Sequence, residues 1–124
     1  MTHKVLIADD EPNIVVSLEF LMKREGYQVS IARDGEQALD AIRRLRPDLV
    51  LLDVMMPIKS GLEVLQAVRA DEAIAGTRIL MLTAKGRTTD AAKGLALGAD
   101  AYMTKPFSTR ELAERVRCML SGTE

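Results

Sequence analysis

The stretch Leu49-Val50-Leu51-Leu52, followed at once by Asp53, is the part of this sequence that decides the fold. Its four residues are apolar without alternation, which is typical of a strand buried on both faces of a sheet. A similar run, Val5-Leu6-Ile7-Ala8, comes near the start of the chain and is followed by Asp9-Asp10. Strands of this kind belong to parallel sheets that carry helices on both faces. The two runs therefore predict an α/β fold.

Similar short runs recur outward from this stretch and alternate with segments of helical period. Besides the two runs above, aliphatic and aromatic residues predict strands at 27–32, 79–82 and 101–103. Apolar residues at helical spacing predict helices within 12–25, 38–45, 62–68, 89–97 and 112–119. Five β–α units in so short a chain predict a doubly wound, five-stranded parallel sheet flanked by five helices. We expect the whole chain, 1–124, to form a single domain.

The composition excludes several classes of function. With 17 basic and 18 acidic side chains the formal net charge is −1, so the chain has no electrostatic footprint for nucleic acid or a membrane surface. The single cysteine, Cys118, cannot form an internal disulfide and fits a reducing compartment. The apolar run that begins at Val5 is too short for a signal peptide or a membrane span. We therefore expect a cytoplasmic protein.

The reactive groups of the sequence are concentrated where the predicted strands end. The first strand is followed by Asp9-Asp10, the third by Asp53, the fourth by Thr83 and the fifth by Thr104-Lys105. Each has an ordinary structural interpretation, such as a carboxylate at a helix N-terminus or a solvated lysine. Ligands of open α/β sheets, however, bind beyond the carboxyl ends of the strands. The convergence of carboxylates, a hydroxyl and an ammonium at this edge therefore predicts a reactive site.

Five pieces of the sequence together resemble the receiver domain of two-component response regulators, over essentially the whole chain. No single piece is specific, but their order and spacing are. The pieces are VLIADDEP (5–12), LLDVMMP (51–57), MLTA (81–84), GADAY (98–102) and TKPF (104–107). The resemblance implies a flavodoxin-like sheet with strand order 2-1-3-4-5, an order for which chemotaxis receivers are a standard example.

The resemblance also implies roles for the clustered residues. Asp53 would be the phosphoryl acceptor, and Mg²⁺, or Mn²⁺ in its place, would be the required cation. Asp10, Asp53 and the backbone carbonyl of Met55 would coordinate the cation directly, and Asp9 through water. One or two carboxylates completed by water and phosphate oxygens suit Mg²⁺. Lys105, two strands or roughly 10 Å from Asp53, would reach the phosphoryl oxygens with its long side chain.

A switch and an output face follow from the same resemblance. Thr83 would hydrogen-bond the phosphoryl group and move toward it, leaving room for the ring of Tyr102 to turn inward. The face formed by the fourth helix, fifth strand and fifth helix would then change its contacts with a downstream protein. The resemblance also implies a cis peptide bond between Lys105 and Pro106, an isomer that only about 5% of X–Pro bonds adopt.

The expected partners are a sensor histidine kinase or a histidine phosphotransfer protein, and a downstream protein target. We expect no direct contact with nucleic acid or membrane. The last predicted helix resembles those of receivers that form salt-bridged dimers, and Glu111 and Arg115 are present. Because Ala91, Ala96 and Ala101 occupy the positions of their partner charges, we expect a monomer or a weak phosphorylation-dependent dimer. The sequence ends soon after this helix, so either an effector domain was removed or, as we expect, the receiver stands alone.

Two other interpretations are open. An aspartate-nucleophile phosphatase of the haloacid-dehalogenase type needs a second carboxylate two residues beyond the nucleophile, and here that position is Met55. A receiver-like module that works without phosphorylation usually lacks the acidic pair, the acceptor or the lysine, all of which this chain retains. Turnover separates the first alternative from a switch, because a switch labels itself once and is not an enzyme.

Overall fold

The computed structural model describes residues 2–84 and 88–121, in which strands and helices alternate along the chain. The strands are β1 (Lys4–Ala8), β2 (Gln28–Ala32), β3 (Leu49–Asp53), β4 (Arg78–Ala84) and β5 (Ala101–Lys105). The helices are α1 (Pro12–Arg24), α2 (Gly35–Leu45), α3 (Gly61–Ala70), α4 (Thr88–Ala96) and α5 (Thr109–Ser121). The expected single-domain span, 1–124, also includes residues 1, 85–87 and 122–124, which lie outside the described residues.

The strands form one sheet in the order β2-β1-β3-β4-β5, and every neighbouring pair is parallel. This confirms the predicted doubly wound, flavodoxin-like fold. All residues of β3 are buried, as are the last four of β1. The two runs without alternation are therefore inner strands, covered on both faces as their composition requires.

Two apolar clusters cover the two faces of the sheet. On one face, side chains of α1 and α5 pack against alternate residues of β1, β3 and β4, among them Ile7, Leu51 and Leu82. On the other face, α2 and α3 pack against the intervening residues, such as Leu52 and Met81. α4 lies on this second face, because a Cβ atom added at its Gly94 would lie 3.3 Å from the Met81 side chain. The sheet is thus a rigid layer with a polar edge.

Proline, capping and glycine residues determine where several helices begin and end. Pro12 is the first residue of α1, where its missing N–H is not needed. Asp34 caps α2 by accepting a hydrogen bond from the backbone N–H of Gln37. Gly26 and Gly98 have φ of +92° and +110° after α1 and α4, a conformation that favours glycine. These positions agree with the sequence pattern.

The last two strands run further than their apolar residues predict. β4 includes Thr83 and β5 includes Lys105, because the ladder continues with Thr83 opposite Thr104 and Ala84 opposite Lys105. Backbone hydrogen bonds do not depend on apolar side chains, so hydropathy alone underestimates such strand ends. Thr83 and Lys105 are consequently held by the sheet and not by loops.

The helices are short relative to a lipid bilayer. The longest, α1 and α5, have 13 residues each. A helix that spans the hydrocarbon core needs about 20 mostly apolar residues. In the part of the chain that the structure describes, no helix meets this requirement.

The reciprocal cap of α3 supplies a stability test. Ser60 accepts a hydrogen bond from the N–H of Glu63, and the Glu63 carboxylate accepts one from the N–H of Ser60. We expect Ser60→Ala to lower the free energy of unfolding by about 1 kcal/mol, measured by urea denaturation. The control is Ser17→Ala on the exposed surface of α1, which removes a hydroxyl without a cap. Equal stabilities of the two variants would contradict the role of the cap.

Candidate functional site

Three carboxylates converge at the carboxyl edge of the sheet. Asp9 and Asp10 follow β1, Asp53 ends β3, and one carboxylate oxygen of each lies within 4.8 Å of the others. Asp9 and Asp53 are buried, with 0% and 4% of their surface exposed, whereas Asp10 is exposed. Oxygen ligands of this kind suit a hard divalent cation. The residues present therefore fit a cation site with one solvent-facing side.

Lys105 brings a positive charge into this cluster from the edge strand β5. Its ammonium nitrogen Nζ lies 2.9 Å from Asp9 Oδ2, 3.2 Å from Glu11 Oε1 and 3.4 Å from Asp53 Oδ1. Only 13% of the Lys105 side chain is exposed. A long side chain thus crosses the end of β4 to reach Asp53, as its length led us to expect. The peptide bond that follows, Lys105-Pro106, is cis, which is the isomer that the resemblance implied.

Burial and neighbouring charges act on the two central groups in opposite senses. Burial raises the pKa of Asp53 to about 6, and the charge of Asp9 adds to this effect. Lys105 and a backbone hydrogen bond from Met55 work against the rise. For Lys105, burial favours the neutral amine, but the hydrogen bond to Asp9 and the charges of Asp53 and Asp9 outweigh it and raise its pKa. Lys105 therefore keeps its positive charge, whereas the negative charge of Asp53 is only partly offset by Lys105 and the Met55 N–H.

Both carboxylate oxygens of Asp9 accept hydrogen bonds, whereas Asp10 is exposed to solvent. Asp9 Oδ1 accepts the backbone N–H of Glu11 at 2.9 Å, and Asp9 Oδ2 accepts Lys105 at 2.9 Å. A buried carboxylate with this many partners is a positioned anion. The exposed Asp10 is accordingly the better direct ligand for a cation, and Asp9 the better candidate for an indirect contact.

Thr83 and Asp53 lie on neighbouring strands but on opposite faces of the sheet. Side chains alternate along a strand. Asp53 lies two residues after Leu51 and so points to the same face, the one covered by α1 and α5. Thr83 lies two residues after Met81 and so points to the other face. The register pairs Asp53 with Leu82, so Thr83 stands one residue beyond it. Thr83 is 2% exposed. The structure thus places the buried Thr83 near the carboxylate cluster at the edge of the sheet, on the face covered by α2 and α3.

Tyr102, the residue expected to switch, lies apart from the carboxylates. It pairs in register with Met81 and so projects from the same face as Thr83, two positions earlier along the sheet. The residue is 42% exposed and lines an open groove of about 660 Å³ together with Leu95, Phe107 and Arg115. Its ring is turned outward in this structure, with a free surface beside it.

The loop between β3 and α3 approaches the site closely, which sequence alone did not predict. A Cβ atom at Gly61 would overlap the carbonyl oxygen of Asp53, and one at Gly35 would overlap that of Lys59. Ile58 has a φ of +71°, a strained value for a β-branched residue. Glu11 was also not predicted as part of the site, although it directly follows the acidic pair. The sequence signal for Glu11 was a third consecutive acidic residue.

Comparisons with known proteins agree on one family. Residues 5–117 match the response regulator receiver domain. The chain is 45% identical over 124 residues to the DNA-binding response regulator MtrA of Mycolicibacterium smegmatis, covering all of this chain and 53% of that protein. The chain therefore spans about half the length of this curated relative.

Solved structures give the same result. The receiver domain of the Francisella response regulator 1452 superposes with a TM-score of 0.90 at 33% identity, covering 99% of this chain and 100% of that chain. The chemotaxis response regulator CheY4 of Vibrio cholerae superposes with a TM-score of 0.89 at 33% identity, covering 96% and 99%.

The raised pKa of Asp53 makes the stability of the cation-free protein depend on pH. The folded state holds the Asp53 proton up to about pH 6, whereas an ordinary aspartate releases it near 3.8. Stability is therefore lost as the pH rises from about 4 to about 6 and stays reduced above that. In EDTA, we expect Asp53→Asn to exceed wild type by on the order of 2 kcal/mol at neutral pH and by little at about pH 4.

Urea denaturation at the two pH values measures this difference. The control is Asp40→Asn, which removes an exposed carboxylate that pairs only with the exposed Arg44 in the described residues. A stability difference for Asp53→Asn that did not change with pH would contradict the account.

Proposed function

The chain belongs to the response regulator receiver domain family of two-component systems, and we propose that it is a switch which accepts a phosphoryl group on Asp53. The observation that carries this proposal is the contact of one ammonium, that of Lys105, with both buried carboxylates, Asp9 and Asp53. A phosphoryl acceptor needs an exposed approach, a nearby cation for the transferred oxygens and fixed geometry. The carboxyl edge of the sheet supplies the nearby cation and the fixed geometry, and the exposed Asp10 gives it a solvent-facing side beside the buried Asp53.

The transfer itself is a displacement at phosphorus. A carboxylate oxygen of Asp53 forms a bond to the phosphorus of a phosphohistidine, and the P–N bond to the donor imidazole breaks. The imidazole leaves with the electron pair of that bond and takes up a proton from solvent. Asp53 becomes an acyl phosphate, in which a phosphoryl group with about 1.5 to 2 negative charges and three strong acceptor oxygens takes the place of the single carboxylate charge.

Asp10, Asp53 and the backbone carbonyl of Met55 would hold a Mg²⁺ or Mn²⁺ ion, and Asp9 would contact it through water. When bound, such a cation supplies positive charge that offsets the carboxylates and the phosphoryl oxygens. The role of the Met55 carbonyl stays a prediction from the family resemblance. Met55 is 55% exposed, and its backbone N–H donates a hydrogen bond to Asp53.

Lys105 and Thr83 would each donate hydrogen bonds to the oxygens of the transferred phosphoryl group. The Lys105 ammonium would donate hydrogen bonds to phosphoryl oxygens, because it is already held 3.4 Å from Asp53 Oδ1. The Thr83 hydroxyl would donate one from the neighbouring strand. Movement of Thr83 toward the phosphoryl group would free space on its own face, and the outward ring of Tyr102 would turn into that space. The surface of α4, β5 and α5 would thereby be changed for a downstream protein.

The partners and setting follow from this function. The donor would be a sensor histidine kinase or a histidine phosphotransfer protein, and the receiver would act in the cytoplasm. It would modify only itself, and would therefore not be an enzyme with a turned-over substrate. Because Ala91, Ala96 and Ala101 occupy the positions at which the resemblance would have charged dimer partners, it would be a monomer or a weak phosphorylation-dependent dimer. The DNA-binding relative is about twice as long as this chain, so in a protein of that length the DNA-binding activity would lie outside this segment.

Phosphorylation by a small-molecule donor tests the function directly. With acetyl phosphate and Mg²⁺, intact mass spectrometry should find one added group of about 80 Da on wild type. Asp53→Asn should gain none, because its amide is not a nucleophile. The matched control, Asp40→Asn on the exposed surface of α2, should gain the group as wild type does.

Two outcomes would contradict the proposal. If the wild type never gains the group, or if Asp53→Asn gains it equally, Asp53 is not the phosphoryl acceptor. Release of many phosphates per protein molecule would instead indicate the phosphatase that Met55 argues against.

The switch can be followed through tyrosine fluorescence, because the chain has two tyrosines and no tryptophan. In a Tyr27→Phe background, Tyr102 is the sole tyrosine. We expect acrylamide quenching to fall when Mg²⁺ and acetyl phosphate are added, because the ring leaves its 42% exposed position. Asp53→Asn in the same background is the control and should not respond. Unchanged quenching in fully phosphorylated protein would contradict an inward turn of the ring.

A further inference from the structure

Lys105 has more carboxylate partners than the proposed phosphoryl transfer uses. Its ammonium donates hydrogen bonds to Asp9 at 2.9 Å and to Glu11 at 3.2 Å, and it lies 3.4 Å from Asp53. An ammonium has three N–H donors, so three carboxylates occupy its capacity. A phosphoryl group on Asp53 brings new acceptor oxygens that need the same donors. The contact of the ammonium with Asp53 passes to the phosphoryl oxygens, and any further hydrogen bond to these oxygens competes with Asp9 or Glu11.

The three partners differ in what it costs them to lose the ammonium. The Asp9 side chain is 0% exposed and that of Asp53 is 6% exposed, whereas that of Glu11 is 60% exposed. A buried carboxylate that loses its cation is left as an uncompensated charge, which is strongly unfavourable. An exposed carboxylate is rehydrated, and exposed ion pairs contribute little. Glu11 is therefore the partner that gives way.

The backbone of Glu11 is fixed while its side chain is free to move. Its N–H donates to Asp9 Oδ1 at 2.9 Å, which holds the residue at the start of α1. The Glu11 side chain makes no cap of that helix. In the described residues, the ion pair of its carboxylate is with Lys105. The side chain can thus swing from Lys105 into solvent without disturbing the helix or Asp9.

We propose that Glu11 is a positioning residue that holds the Lys105 ammonium in the unphosphorylated protein and releases it to the phosphoryl group. This inference rests on the proposed phosphorylation of Asp53. Glu11 competes with the phosphoryl oxygens for the ammonium, and its negative charge opposes the approach of an anionic donor. It therefore slows phosphorylation and stabilises the unphosphorylated state. Glu11 acts through Lys105 and takes no part in the bond changes.

The rate of phosphorylation tests the proposal. At saturating Mg²⁺, so that cation affinity does not enter, we expect Glu11→Gln to raise the rate with acetyl phosphate about two- to fivefold. Glu11→Asp keeps the charge and should stay close to wild type. Glu36→Gln is the matched control, because Glu36 is an exposed carboxylate in the first turn of α2 with the same charge change and no pair with Lys105 in the described residues. It should react at the wild-type rate.

A second readout does not depend on phosphorylation. Urea unfolding of Glu11→Gln, Lys105→Met and the double variant in EDTA forms a double-mutant cycle for the pair. We expect a favourable coupling between the two residues. A coupling of zero would overturn the proposal, because Glu11 would not then hold Lys105 in solution.

The outcomes separate this inference from the function on which it rests. If wild type is never phosphorylated, the proposed function is overturned, and the proposed role of Glu11 is overturned as well. If wild type is phosphorylated but Glu11→Gln reacts at the same rate or more slowly, the role of Glu11 alone is overturned. The same follows if Glu36→Gln accelerates the reaction equally, since a general charge effect would then explain the result.

Discussion

The close approach of three carboxylates to one another, with one ammonium beside them, is the interaction on which the rest of the structure depends. Asp9, Asp10 and Asp53 place oxygens within 4.8 Å of one another, and Lys105 lies within 3.4 Å of two of them. Such crowding repels, so it persists only because inner strands of a packed sheet hold the aspartates in place. One ammonium compensates the cluster incompletely. The remaining negative charge fits a divalent cation. Under the proposed function, that cation would in turn offset the charge of a phosphoryl group.

The sheet also determines how a change at this edge reaches a distant surface. Asp53 stands on the face covered by α1 and α5, whereas Thr83 and Tyr102 stand on the opposite face. Thr83 is the step between them, because it is buried one residue beyond the level of Asp53 on the next strand. The core beneath is close-packed and does not deform gradually. Under the proposed function, a new hydrogen bond at Thr83 would favour one of two arrangements of the Tyr102 face and not a continuous adjustment.

The fold was predictable because its inner strands carry an unambiguous pattern. Leu49 to Leu52 had to be covered on both faces, and apolar residues at helical spacing marked the five helices. The pairing of Lys105 with Asp53 followed from family resemblance and from the length of a lysine side chain. Glu11 was not predictable in the same way, because its contact joins residues 94 positions apart and depends on the direction of an exposed side chain. The approach of Gly61 to the Asp53 carbonyl likewise depends on the path of a loop, which no periodicity encodes.

Beryllofluoride, a stable mimic of a phosphoryl group on a carboxylate, tests the central claim most directly. In ¹⁹F NMR of the wild-type protein with Mg²⁺ and beryllofluoride, the account predicts bound resonances distinct from those of the free salt. These resonances should vanish when EDTA removes the cation or when Asp53 is replaced by asparagine. Bound resonances that survive either change, or their absence from the wild-type protein with Mg²⁺, would contradict the claim that a cation and the Asp53 carboxylate together form the acceptor.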